Sequence, residues 1–408
     1  AGVNFSKENF DFTVNAISEI IATFWKNRIT LVKFGRLFSK NFLRNIARLE
    51  YTKTLEDVAK TVSKPLLVLG AGEGLDTLSY SSFSPNDFFI ITVDAALSPL
   101  LARNITPDAV VTMESQIAIE KTFLGAKNKN ILLFADLCER PEATKILGGN
   151  IIWFATKYAD GIFFDNLKKE SVIRNFIEPM GSVGLAATYI ALKIRSSSSI
   201  PVFIAGLDFS YSIGTTHAKD TMALKQRFIN SNRLTPIENY DAAFSMSTQT
   251  VMSKNGKKIC STKILLQYAQ QFKLMFQNEK NLFDCSSTGI KLGIPQRNLF
   301  ATKGNLQKEK CESHKNISSF CEKEKRKLEE LRSLLSDGEK SPFRNNLPEK
   351  LSLSKQIKKI AEEREYLFLH FPDGYRFKME QSFLKRIRAE TDFFIKQLEI
   401  AMRENKPL

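Results

Sequence analysis

The feature that most constrains this chain is a series of short apolar runs, rich in β-branched residues and each closed by a glycine or a polar residue. They are LLVLG at 66–70, FFIITVD at 88–94, PDAVVTME at 107–114, NILLFAD at 130–136, NIIWFAT at 150–156 and IPVFIAG at 200–206. Helical patterns stand between several of them, and NLFDCSSTGIKLGIP at 281–295 adds a further strand. Strands alternating with helices predict an α/β fold with a doubly wound, mostly parallel sheet, and such sheets bind ligands at the carboxyl ends of their strands.

The first of these runs sits inside KPLLVLGAGEGLD at 64–76, which reads as a strand, a tight glycine turn and a helix start. Gly70, Gly72 and Gly74 permit close approach of backbone N–H groups, and the helix end that follows at Leu75 favours a phosphate. The spacing is G-x-G-x-G and departs from the dinucleotide fingerprint, so a tight turn that binds nothing is the plain alternative. Asp94 stands twenty residues after Gly74, where the acid of a Rossmann-like unit meets a ribose hydroxyl. Glu114 and Asp136 also end strands; each of the three acids is either a site residue or a helix N-cap. MGSVGLAATYIALKI at 180–194 opens a helix on Gly181, Ser182 and Gly184, a second set of donors at a helix N-terminus. The loop carrying Thr288 and Gly289 is a third possible ligand loop. GLDFSYSIGTTHAKDT at 206–221 gathers Asp208, Ser210, Tyr211 and His217, and an imidazole there suits proton transfer or hydrogen bonding to a leaving group.

A chain of 408 residues with 43% hydrophobic content is long enough for two or three structural units. Residues 1–60 carry apolar positions at helical spacing, among them Phe12, Ile17, Ile20, Phe42 and Ile46, and predict two or three helices that either pack on a domain or lie on a membrane surface. Residues 61–300 are expected to form a Rossmann-like ligand-binding domain, and 301–408 a helical region of mixed charge. Residues 230–253 read as a long polar loop, a candidate lid, and KNGKKI at 254–259 as a hairpin turn. The formal net charge of +15 points to an anionic partner, but the basic residues of the tail alternate with acids, which favours a salt-bridged surface over a nucleic-acid groove. Five cysteines without C-x-x-C spacing indicate neither a disulfide framework nor a zinc site. No signal peptide and no apolar run near 18 residues is visible, so the expectation is a cytoplasmic protein without stable membrane insertion.

Taken together, GAGEGLD, TVDAAL, PDAVVTME, GSVGLAATYIAL and GLDFSYSIGTTHA resemble the motility accessory factor family of flagellin glycosyltransferases, over about residues 36–295. That family shares a domain with a 6-hydroxymethylpterin diphosphokinase. The same segments are similar to bacterial sialyltransferases that use a CMP-activated nonulosonic acid without a metal. The resemblance implies a CMP-sugar as donor substrate, no obligatory cofactor and flagellin as acceptor. It places Gly70, Gly72, Gly74, Leu75 and Asp94 on the nucleotide, and Tyr211 or Ser210 with His217 on the departing phosphate. The sialyltransferases carry a tyrosine where His217 stands and a separate histidine base; no counterpart lies between His217 and His314, so the base is either His217 or unidentified. Three alternatives stand beside this reading: a pterin diphosphokinase needing ATP and magnesium, an NAD enzyme, and a non-catalytic nucleotide-, nucleic-acid- or protein-binding module.

Overall fold

The computed structural model describes residues 6–78, 84–127, 129–147, 150–237, 248–300, 317–340 and 347–404. The chain divides into two compact units, Leu49–Thr156 with Phe176–His314, and Ala1–Arg48 with Lys157–Asn175 and Lys315–Leu408. The expected division at residues 60 and 300 is therefore redrawn. The first and last segments share one unit with a piece taken from the middle of the chain.

The first unit is the α/β sheet. Its strands are β1 (Lys53–Thr54), β2 (Leu66–Leu69), β3 (Phe89–Val93), β4 (Ala109–Thr112), β5 (Leu132–Asp136), β6 (Ile151–Phe154), β7 (Val202–Ala205) and the later β10 (Leu282–Asp284). They pair in the order β1-β6-β5-β4-β3-β2-β7-β10, every pair parallel. The apolar runs of the sequence become strands whose residues are almost all buried, as expected for a parallel sheet covered on both faces. Among the described residues, the α-helices of this unit are α2 (Gly74–Thr77), α3 (Asp94–Ala102), α5 (Val183–Ile194), α6 (Met222–Asn230) and α7 (Lys263–Phe276). Helix α5 packs across β2, β3, β4 and β7, and its fully buried Ala187 and Ala191 let it lie close to the sheet. Strands β8 (Thr248–Met252) and β9 (Lys258–Thr262) form the antiparallel hairpin expected at Asn255-Gly256, with Gly256 at φ +80°. Helix α6 and β8 take up both ends of the expected loop, and its residues 238–247 lie outside the described ones.

Starting at β2 the chain lays down β3 to β6 on one side, then returns to place β7 and β10 on the other. The switch point lies between β2 and β7, where doubly wound sheets open a ligand crevice. Here the two strand ends close on each other instead. A Cβ on Gly70 would stand 2.4 Å from the Gly206 carbonyl oxygen, and one on Gly206, whose φ is +70°, would stand 2.5 Å from that of Gly70.

The second unit is helical: α1 (Lys7–Ile46), α4 (Ile162–Lys169), α8 (Ile317–Lys340), α9 (Leu347–Glu362) and α10 (Gln381–Glu404). The two or three helices expected at the N-terminus are one helix of 40 residues. Gly35 does not break it; the missing Cβ admits Leu369, whose Cδ1 would lie 2.4 Å from a Cβ there. Phe42, Phe163, Tyr366 and Phe394 share the core. Glu324 is buried, accepting hydrogen bonds from Arg364 at 2.9 Å and from the Tyr366 hydroxyl at 2.6 Å. Glu365 caps α4 by accepting the N–H groups of Ile162 and Phe163. No described helix is long and apolar enough to cross a membrane.

Candidate functional site

The site residues expected from sequence fall into two groups within the α/β unit. The first surrounds the glycine turn, whose N–H groups are engaged inside the protein. Gly70 donates to Ala205 O, Gly72 to Gly206 O at 2.8 Å, and Gly74 to the Asp208 carboxylate at 2.6 Å. A Cβ on Gly72 would meet Asp208 Oδ2 at 2.4 Å, and one on Gly74 would meet Asp208 Oδ1 at 2.6 Å. Asp208 thus occupies the position in which a phosphate was expected, at the start of a helix only four residues long. The glycines are small because the β7 loop packs against them. Leu75 is fully buried in the core.

Asp208 organises its neighbours. Ser210 donates to its backbone carbonyl, Ile290 N–H does the same, and Gly289 at φ +88° leaves room for it, since a Cβ there would be 2.7 Å from the Asp208 Cα. The Thr288 hydroxyl is buried in the same loop. Lys254, from the hairpin turn, forms a buried ion pair with Asp284. Burial pushes the Asp208 carboxyl up to about 6, against the pull of the Gly74 N–H and the Lys254 charge. Tyr211 is buried, its hydroxyl 3.0 Å from that of Thr248 and its backbone paired with Cys260. His217 is half-buried, with Nδ1 2.9 Å from the Thr216 hydroxyl, which also accepts from Arg227. Desolvation first and the Arg227 charge second lower its pKa below 6.5, which leaves a neutral imidazole at pH 7.

The second group lines a cavity of about 500 Å³ at the carboxyl ends of β3 and β4. Asp94, Glu114 and Gly181 face it, with Lys121, Thr122, Met113, Met180, Val183, Met222 and Gln226. Parallel pairing of β3 and β4 places Asp94 and Glu114 on adjacent strand ends. Helix α5 begins at the rim, where the Ser182 side chain caps it by accepting the Gly184 N–H. Its positive end favours negative charge, and the Gly181 N–H beside it donates to Gln271 Oε1 at 3.4 Å. Burial, and secondarily the charge of Glu114, raises Asp94 to about 6 despite hydrogen bonds from Ala95 and Thr112. His217, Tyr211, Asp208, Ser210, Thr288, Gly289 and the three turn glycines are not part of this lining. Asp136 takes the turn-holding role, accepting from Cys138 N–H, Thr156 N–H and the Thr156 hydroxyl. Lys121, Gln226 and Met222 carried no sequence signal, because none belongs to a motif and only the fold brings α6 beside α3 and into the cavity lining.

Residues 40–214 match a family model described as 6-hydroxymethylpterin diphosphokinase MptE-like. The chain is 31% identical over 416 residues to an uncharacterized protein of Treponema pallidum (strain Nichols), covering 95% of this chain and 71% of that protein. A second uncharacterized protein of the same organism is 26% identical over 232 residues, covering 56% of this chain and 47% of that one. Among solved structures, the MAf glycosyltransferase from Magnetospirillum magneticum AMB-1 aligns at a TM-score of 0.49 and 14% identity, over 91% of this chain and 61% of that chain. The chain therefore belongs to the family of the 31% identical Treponema protein, and its residues 40–214 carry the MptE-like match, in line with the motility accessory factor resemblance of its motifs.

Proposed function

We propose that this protein is a glycosyltransferase that moves a nonulosonic acid of the pseudaminic, legionaminic or sialic type from a CMP-sugar to serine or threonine hydroxyls of flagellin. The observation that carries the reading is the cavity at the ends of β3 and β4, which combines two carboxylates, one lysine and a helix N-terminus. Glu114 suits ribose or sugar hydroxyls, while Lys121 and the start of α5 suit one phosphate group. CMP leaves with a single phosphate, so donors and a helix end suffice to stabilise it and the reading needs no obligatory metal. The helical unit would receive the acceptor protein.

The MptE-like match over 40–214 favours one other reading, transfer of a diphosphoryl group from ATP to a pterin. Thermal unfolding in CMP, in ATP with magnesium and in NAD separates the two. A ligand at 100 times its Kd adds about 2.7 kcal/mol to apparent stability. CMP is expected to raise the melting temperature of the wild type and to do so less in Glu114→Gln. A shift with ATP and magnesium alone would replace the transferase by the diphosphokinase.

A further inference from the structure

The acidic wall of the cavity continues behind its lining. Asp94 follows β3 directly, and its Oδ1 accepts the Ala95 N–H at 2.6 Å, which fixes the rotation of the carboxylate. Thr112 ends the neighbouring β4, its hydroxyl oxygen 3.2 Å from Asp94 Oδ2 and 2.9 Å from Glu139 Oε2. Glu139 comes from the turn after β5 and, like Thr112, is fully buried. A threonine hydroxyl carries one proton and cannot donate to two carboxylates at once. Both contacts are hydrogen bonds at once when one of the two carboxyl groups is protonated and donates to the threonine oxygen. Glu139 is that group: burial first, and the charge of Asp94 second, hold it well above the ordinary carboxylate range. The hydrogen bonds then run from Glu139 Oε2 to Thr112 and from Thr112 to Asp94 Oδ2. The ionised end of this chain is the residue that faces the cavity.

We propose that Asp94 is the general base of the transfer reaction, and that Thr112 and Glu139 are positioning residues that aim its carboxylate at the acceptor hydroxyl. The proposal rests on the transferase reading above. The acceptor hydroxyl gives its proton to Asp94 as its oxygen bonds to the anomeric carbon. The bond from that carbon to the CMP phosphate oxygen breaks, its electron pair leaves with the phosphate, and Asp94 later releases the proton to water. Two environments that push two carboxyl groups apart in pKa are a recurring way of dividing acid and base roles. The other titratable groups around Asp94 are Glu114 and Lys121 on the lining and Asp136 beside Glu139. His217 is outside the lining and is held by Thr216.

The test measures CMP release by the full chain with flagellin as acceptor and the CMP-activated sialic, pseudaminic and legionaminic acids as donors, between pH 5 and 8.5. Melting curves with CMP are recorded for every variant. The wild-type kcat/KM should rise with pH through an apparent pKa near 6. Asp94→Asn, which keeps the shape, should lower kcat by about 10² to 10⁴ with an unchanged CMP-induced shift in Tm. Thr112→Val removes the donor to the carboxylate and should move the acidic limb to higher pH, and Thr112→Ser should restore it. Wild-type turnover in Asp94→Asn would overturn the proposal, as would a loss that appears equally in CMP stabilisation, which would make Asp94 a binding residue. An acidic limb that stays in place in Thr112→Val would remove the positioning role. A wild type neither stabilised by CMP nor active on any of the three donors would overturn the transferase reading, and this inference with it.

Discussion

Gly72→Val decides between two physical roles for the glycine turn. If the turn cradles a phosphate, the branched side chain blocks the ligand and leaves the fold intact. The structure predicts the reverse. A Cβ at residue 72 meets Asp208 Oδ2 at 2.4 Å and the Gly206 carbonyl oxygen at 2.8 Å, so the β7 loop must retreat by about 1 Å to reach ordinary contact. Overpacking of this kind costs about 1–3 kcal/mol. Displacing Asp208 also weakens its charge-assisted bond from the Gly74 N–H, worth about 1.5–3 kcal/mol. The expected total is about 2.5–6 kcal/mol, a fall in Tm on the order of 5–24 °C for a unit of this size. Gly72→Ala should fall between wild type and valine. Circular dichroism melts and urea titrations give the stability, and CMP-dependent shifts of the same melts give the binding. A valine variant that melts like wild type while losing its response to CMP would show that the turn is a ligand cradle and that its packing against Asp208 is incidental.

Asp94 and Asp208 both have folded pKa values raised to about 6 from 3.8, so the native state holds more protons than the unfolded chain between these values. The stability they contribute is fully present below about pH 4 and lost as pH rises through 6, about 3 kcal/mol for each. Asp94→Asn should therefore gain on wild type in urea titrations as the pH is raised from 4 to 7.5, and a constant difference would contradict the assigned burial. Glu324→Ala should destabilise the helical unit by about 3–5 kcal/mol, because the buried Arg364 keeps only the longer pair with Glu363 at 3.5 Å and the Tyr366 hydroxyl loses its acceptor; a melt identical to wild type would refute that. Deleting residues 315–408 should give insoluble or aggregated protein, since α1 loses its packing on α10 and Phe163 of α4 loses Tyr366; a monodisperse truncation would show that those helices are stable alone. Gly181→Leu should narrow the cavity rim, where even a Cβ would press on the Tyr268 ring, and weaken CMP binding more than it lowers the melting temperature.

The strands β2 to β7 and β10 are legible in the sequence, because the signals that define them are local, whereas β1, α6 and β8 are not. A run such as ILLFAD must be a buried strand, and Asn255-Gly256 must turn. The acids that close β3 and β4 were legible for the same reason, since the end of a strand in a parallel sheet is the edge where ligands bind. The local rule failed at the glycine turn. It describes what glycine permits, and it does not say which atoms arrive; here Asp208, 134 residues away, arrives in place of a ligand. Two further things were decided only by tertiary structure. Thr112 lies inside PDAVVTME, but nothing in that segment points to Glu139, and the two meet through strand pairing and a turn after the next strand. The assembly of α1, α4 and the tail into one unit depends on apolar faces that must be buried by something, and the sequence names the faces but not their partners. Periodicity sets which side of an element avoids water; which other element covers it depends on shape and packing between residues far apart in the chain.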